Sequence, residues 1–132
     1  MQDKLRHEDL THKIIGCAMQ VHSALGNGFQ EVIYQNALEI EMASHDIKFE
    51  REKEMPILYR DRQVGTRRGD FFVSGVIMVE LKATIQLEDV HLAQAINYLE
   101  AFNKEIGLLI NFGSQSLTFK RLFNKKYKFN QD

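Results

Sequence analysis

The chain has 132 residues but only one cysteine, one proline and no apolar run approaching the roughly 20 residues that a membrane span needs. The lone Cys17 excludes an intramolecular disulfide. Its setting, Ile14-Ile15-Gly16-Cys17-Ala18-Met19, is that of a buried, inert thiol in a reducing compartment. Pro56 stands alone, and there is no repeat or Pro/Ser-rich linker, so residues 1–132 read as a single domain. The first nine residues are charged throughout and form no secretory signal, which makes a cytoplasmic location the expectation. The five histidines are scattered, and with Cys17 they form no zinc spacing. A net charge of −1 excludes any overall attraction to a polyanion. The charge is uneven, however. Lys120, Arg121, Lys125, Lys126 and Lys128 face only Asp132 in the last stretch, so a basic tail of about 120–132 follows an acidic body. Such a tail either contacts phosphates or is simply solvated.

What the chain does contain is a clear alternation of textures. Ile14, Ile15, Ala18, Val21 and Leu25 have helical spacing, predicting a helix over 10–25 that Gly26-Asn27-Gly28 ends. A second helix is predicted over 30–44. Residues 49–59 read as one strand, weakened near Pro56, followed by a turn at Asp61-Arg62 and a short strand over 63–66. Strands over 69–73 and 76–83 are joined at Ser74-Gly75. A third helix over 89–102 carries Leu92, Ala95, Ile96, Leu99 and Phe102. The continuous apolar run at 107–112 is that of a strand covered on both faces, and 116–123 is a final strand. The order is that of an α/β mixed sheet flanked by helices.

The chemistry concentrates on Val76-Ile77-Met78-Val79-Glu80-Leu81-Lys82-Ala83. Side chains alternate along a strand, so Ile77, Val79 and Leu81 share one face while Met78, Glu80 and Lys82 share the other. Ionised groups emerging from an apolar strand are expensive to bury unless paired or bound to metal. Asp46-Ile47-Lys48 has the same acid-x-lysine form at a helix–strand junction without the apolar strand, and reads as a surface pair. The second copy gains weight from Asp70. If Val73 lies opposite Ile77 across a three-residue loop, Asp70 falls opposite Glu80, with β-carbons roughly 5 Å apart. A two-residue Ser74-Gly75 turn would instead put the two acids on opposite faces. Like charges so close repel, and a cation reverses the sign of that interaction. Two carboxylates with carbonyl and water oxygens suit Mg2+, with Mn2+ as a substitute. A metal on Asp70 and Glu80 with Lys82 beside it is an arrangement for hydrolysing a phosphodiester.

These residues carry a resemblance to a known family. Asp70, followed on the next strand by Glu80-Leu81-Lys82, resembles the PD-(D/E)XK nuclease superfamily. Gly28-Phe29-Gln30-Glu31-Val32-Ile33-Tyr34 resembles the pattern naming its small GxxExxY proteins. Arg68-Gly69-Asp70-Phe71 is similar to their Arg-x-Asp segment, His91-Leu92-Ala93-Gln94-Ala95-Ile96-Asn97-Tyr98-Leu99 to the helix beyond, and Gly107-Leu108-Leu109-Ile110-Asn111-Phe112-Gly113 to the strand after that. The superfamily's proline before the aspartate is absent; Gly69 stands there.

The resemblance implies a restriction-endonuclease-like αβββαβ core with Asp70, Glu80 and Lys82 catalytic. It adds Glu31 as a further catalytic and metal-completing acid, and Gln94 as a catalytic residue near the site. Read without it, Glu31 is a first-turn acid complementing a helix dipole, and Gln94 belongs to a polar stripe with His91 and Tyr98. The implied activity is metal-dependent cleavage of nucleic acid, with DNA the expected partner. The alternative is a non-catalytic nucleic-acid-binding or assembly module that keeps the fold. A homodimer through the strands at 107–112 and 116–123 is a further expectation.

Overall fold

A computed structural model describes residues 7–129. Among the described residues two helices lead, α1 (Glu8–Leu25) and α2 (Glu31–Ser44). Five strands follow: β1 (Phe49–Arg51), β2 (Glu54–Tyr59), β3 (Arg62–Arg68), β4 (Phe71–Val73) and β5 (Ile77–Lys82). Helix α3 (Asp89–Ala101) then crosses to β6 (Ile106–Asn111), and β7 (Thr118–Phe123) closes the order. A five-stranded sheet has the order β1-β4-β5-β6-β7, while β2 and β3 form a separate two-stranded ribbon. β5 and β6 pair in parallel; the other neighbours are antiparallel.

The alternation along β5 decides which helix covers which face. Ile77, Val79 and Leu81 pack with Ile14, Ala18, Tyr34, Leu38 and Met42 beneath α1 and α2. Met78 packs on the other face with Phe72, Leu99, Phe102 and Leu109 beneath α3, joined by Met55 and Ile57 from the ribbon. β6 is buried along its whole length because both layers need it. At Gly107 an added Cβ would already meet Leu99 Cδ1 at 3.3 Å, so glycine lets α3 lie close to the sheet.

Four expectations need correction. The single strand over 49–59 is two strands in different sheets. The break falls at Glu52, whose φ of 54° leaves the extended region, rather than at Pro56, which sits in β2. The turn before β3 is Arg60-Asp61, not Asp61-Arg62, since Tyr59 pairs with Arg62. The strand expected over 69–73 begins only at Phe71. The strand over 107–112 is covered on both faces, as its apolar run implies, so it is not the surface expected for a second copy; of the two strands expected to meet one, β7 alone is at an edge. The basic tail is mostly ordered structure. Lys120 and Arg121 belong to β7, the Arg121 Nε–H donates to Thr11 Oγ1 at 3.3 Å, and the Lys128 N–H donates to Asn103. Asp132 and the first six residues lie outside the described residues. Cys17 is buried, and burial, then Glu41, raises its thiol pKa, as its apolar setting implies. Asp46 and Lys48 are both exposed, in keeping with a surface pair. Among the described residues no helix is long and apolar enough to cross a membrane.

Candidate active site

The register at the centre of the sheet brings the two acids together. Val73 pairs with Ile77 across Ser74-Gly75-Val76, then Phe72 with Met78 and Phe71 with Val79. Beyond the last pair the ladder gives way to side-chain bonds. Glu80 Oε2 accepts the Asp70 backbone N–H at 3.1 Å, and Asp70 Oδ2 accepts the Leu81 N–H at 2.7 Å. Each carboxylate thus caps the backbone of the other's strand. The positive φ of Ser74 (51°) and Gly75 (71°) closes the three-residue loop that this register requires.

Gly69 has a steric reason to be glycine. A Cβ there would meet the Phe72 ring at 2.8 Å and Glu80 Oε2 at 3.5 Å. The residue before Asp70 therefore lets Phe72 and Glu80 approach the chain.

The electrostatics follow from burial. Glu80 is 3% exposed. Desolvation, reinforced by Asp70, pushes its carboxyl pKa up to about 7, against the opposing pull of Arg67, the Asp70 N–H and Lys82. Asp70 is raised too, by burial first, with the Leu81 N–H, Arg67 and Lys82 opposing. Its Oδ1 takes no hydrogen bond among the described residues, leaving that oxygen open to a ligand. Glu31, in the first turn of α2, is exposed at the surface, yet its carboxyl group is crowded enough that desolvation, then Asp70, raises its pKa. One turn further along α2, Gln35 Nε2 donates to the Asp70 carbonyl at 3.4 Å, so α2 also abuts the Asp70 segment. Lys82 is half-buried at the end of β5 on Glu80's face, and its charge lowers the pKa of Glu31, Asp70 and Glu80 alike.

The structure therefore groups Asp70, Glu80 and Lys82, with Glu31 at the margin. Gln94 is exposed on α3, and no hydrogen bond joins it to the cluster among the described residues. His91 is occupied in the cap of α3, its Nδ1 accepting the Glu88 N–H at 3.0 Å. Among the described residues no three acidic, histidine or cysteine side chains converge as a ready-made metal cluster. The donors on Asp70 and Glu80 are all hard oxygens, a set that fits Mg2+ or Mn2+ rather than a soft metal.

Sequence reasoning missed Arg67. Its Nη2 donates to Glu80 Oε1 at 2.6 Å, and its guanidinium lies over the Tyr98 ring, 4.5 Å from the centroid. Arg67 thus supplies the positive charge beside the most buried acid, and Tyr98 anchors it from α3. The signal was the arginine pair Arg67-Arg68 just before Gly69-Asp70. The motif drew attention to Arg68, which instead makes an exposed pair with Glu54 at 3.4 Å.

Tyr34 and Asn111 brace the surroundings. Tyr34 is fully buried and stacks on Phe112 at 4.7 Å. Its hydroxyl donates to the Gly26 carbonyl at 2.5 Å and accepts the Phe29 N–H at 3.1 Å, pinning the loop that leads into Glu31. The Asn111 side chain accepts from the N–H groups of Thr84 and Gly113 and donates to the Thr84 carbonyl, holding the exit of the Lys82 strand. A Cβ at Gly113 would collide with the Thr84 backbone, so the two segments touch there without a side chain between them.

Fold and site together define a nuclease-like domain. The model of the PD-(D/E)XK nuclease superfamily matches residues 8–122, and the chain belongs to that superfamily. Among solved structures, the crystal structure of SSO0001 is similar with a TM-score of 0.57 at 20% identity, over 71% of this chain and 50% of that one. This chain spans about half of that protein's length, and the likeness is one of fold. No curated protein matches.

Proposed function

We propose that the chain is a metal-dependent nuclease hydrolysing the phosphodiester bonds of DNA, and that within its superfamily it is one of the GxxExxY proteins. The observation that carries the reading is the reciprocal bonding of Asp70 and Glu80 across β4 and β5, with Lys82 next on Glu80's face. Asp70 and Glu80 would hold the metal, with Glu31 close enough to complete its shell through water. When bound, a divalent ion supplies a lowered pKa for a water ligand and positive charge beside the scissile phosphate. The chain's own residues do the rest. Lys82 orients the attacking water and balances charge building on the phosphate oxygens. Arg67 keeps Glu80 paired and Tyr98 keeps Arg67 in place. Gln94 lies one turn before Tyr98 on α3, and we assign it, as the resemblance implies, a part in the reaction near the site.

The test is cleavage of single- and double-stranded DNA and RNA with Mg2+, with Mn2+ and with chelator. The expected result is metal-dependent cleavage of DNA that falls about 10²-fold or more in Lys82→Ala. A wild type that cuts none of these, or a Lys82→Ala variant that cuts equally well, overturns the reading. One observation favours a second reading, a non-catalytic binding module: Arg67 already pairs with Glu80 without a metal. On that reading Mn2+ leaves the melting temperature unchanged, whereas a working site gives a rise that Asp70→Asn removes.

A further inference from the structure

The ribbon of β2 and β3 is the part of the molecule that the cluster does not explain. Its base is anchored by Met55 and Ile57 on the α3 side, but its far end carries exposed Leu58, Tyr59 and Val64. Tyr59 and Arg62 pair across a two-residue turn whose members, Arg60 (φ 51°) and Asp61 (φ 64°), both lie in the left-handed region. Such a turn matches the twist of a hairpin but favours asparagine and glycine, so an arginine there is held against its preference. The Arg60 guanidinium lies 5.5 Å from the centre of the Tyr59 ring. Tyr59, Arg60, Arg62 and Val64 surround an open concavity of about 500 Å³. Among the described residues neither Arg60 nor Arg62 pairs with a carboxylate, whereas Arg67 and Arg68 at the base both do.

We propose that the β2–β3 ribbon is an arm that grips a nucleic-acid duplex at a distance from the cluster, its tip arginines on the phosphates and the ribbon along the major groove. The proposal rests on the nuclease reading and identifies the surface that holds its substrate. A two-stranded ribbon fits the major groove, and phosphates complement two exposed, unpaired guanidinium groups beside an aromatic ring. The chain is net negative overall, so attraction to a polyanion must come from local surfaces such as this one. Because β3 runs from the tip into Gly69-Asp70, its length sets the spacing. At roughly 3.3 Å per residue the tip lies roughly 20 Å from the cluster, the rise of about six base pairs.

The test is fluorescence anisotropy on a labelled duplex of about 20 base pairs in chelator, over a range of salt, with wild type and Arg60→Gln/Arg62→Gln. The variant is expected to bind about 10-fold more weakly and to lose about two units of the log–log salt slope, as two missing phosphate contacts require. Its Mn2+-dependent melting shift should equal that of wild type. Equal affinity and slope in the two proteins overturn the proposal, as does a wild type without salt-dependent duplex binding. Hairpin-dependent binding that is tighter to single strands than to duplex overturns the groove placement. If Leu58→Glu/Val64→Glu converts a dimer to a monomer in sedimentation without changing DNA affinity, the arm serves a second copy and the proposal falls. Failure of the nuclease reading shows itself separately, as absent cleavage and an absent Mn2+ shift in a wild type whose salt slope still reports on the arm.

Discussion

Replacing Glu80 by glutamine tests the electrostatics of the site without touching substrate. The Glu80 carboxyl pKa is raised from 4.5 to about 7, first by desolvation and then by Asp70. For an acid whose folded-state pKa lies above its unfolded value, the folded state binds the proton more tightly. Stability from this group is therefore fully present below about pH 4.5 and is lost as pH rises through about 7. The displacement corresponds to about 3 kcal/mol of metal-free stability, or roughly 10 °C in melting temperature for a chain of this size. In the Glu80→Gln variant the new amide oxygen can keep the bond to Arg67, but the amide nitrogen cannot accept the Asp70 N–H. That loss is worth about 1 kcal/mol at every pH. The change across pH, not the absolute value, is thus the readout. In chelator, melting curves from about pH 4.5 to 8.5 should show the wild type losing about 3 kcal/mol relative to Glu80→Gln as pH rises. Millimolar Mn2+ should cancel much of that loss in the wild type and do little in the variant. Parallel curves in chelator would refute the claim that Glu80 is desolvated against its charge.

Other perturbations follow from the same geometry. Arg67→Met leaves the Glu80 carboxylate buried without its counter-ion. At about pH 8 in chelator it should lower stability by about 1–2 kcal/mol, less than for a fully buried pair because Arg67 is 30% exposed. The same variant should show a larger Mn2+-dependent melting shift than wild type, measured by thermal denaturation. Gly69→Ala drives a methyl group against Phe72 and should cost about 1–3 kcal/mol while reducing cleavage, since Glu80 Oε2 lies next in line. Tyr34→Phe removes two hydrogen bonds without creating a cavity and should cost about 1–3 kcal/mol by urea denaturation.

Asp70, Glu80 and Lys82 were legible in the sequence because strand periodicity is short-range. Once residues 77–82 are a strand, Glu80 and Lys82 must share a face, and the apolar residues between them must bury the other. The three-residue loop that puts Asp70 opposite Glu80 was one of two possibilities, and the observed pairing of Val73 with Ile77 is that loop's register. Arg67 was not legible, because nothing local distinguishes it from Arg68; the choice depends on which guanidinium the ribbon turns toward Glu80 and Tyr98. The split of residues 49–59 was hidden for a related reason. A strand's membership of one sheet or another is a property of its partners.

By itself, then, the order of residues determined the three helices, the two faces of β5, the doubly covered strand β6 and the acids and lysine of the cluster, since each depends on short spacings along the chain. The tertiary structure alone decided the counter-ion at Glu80, the exposed position of Gln94 and the separation of β2 and β3 from the main sheet. Those depend on contacts between segments far apart in sequence, where burial and pairing, not periodicity, set the outcome.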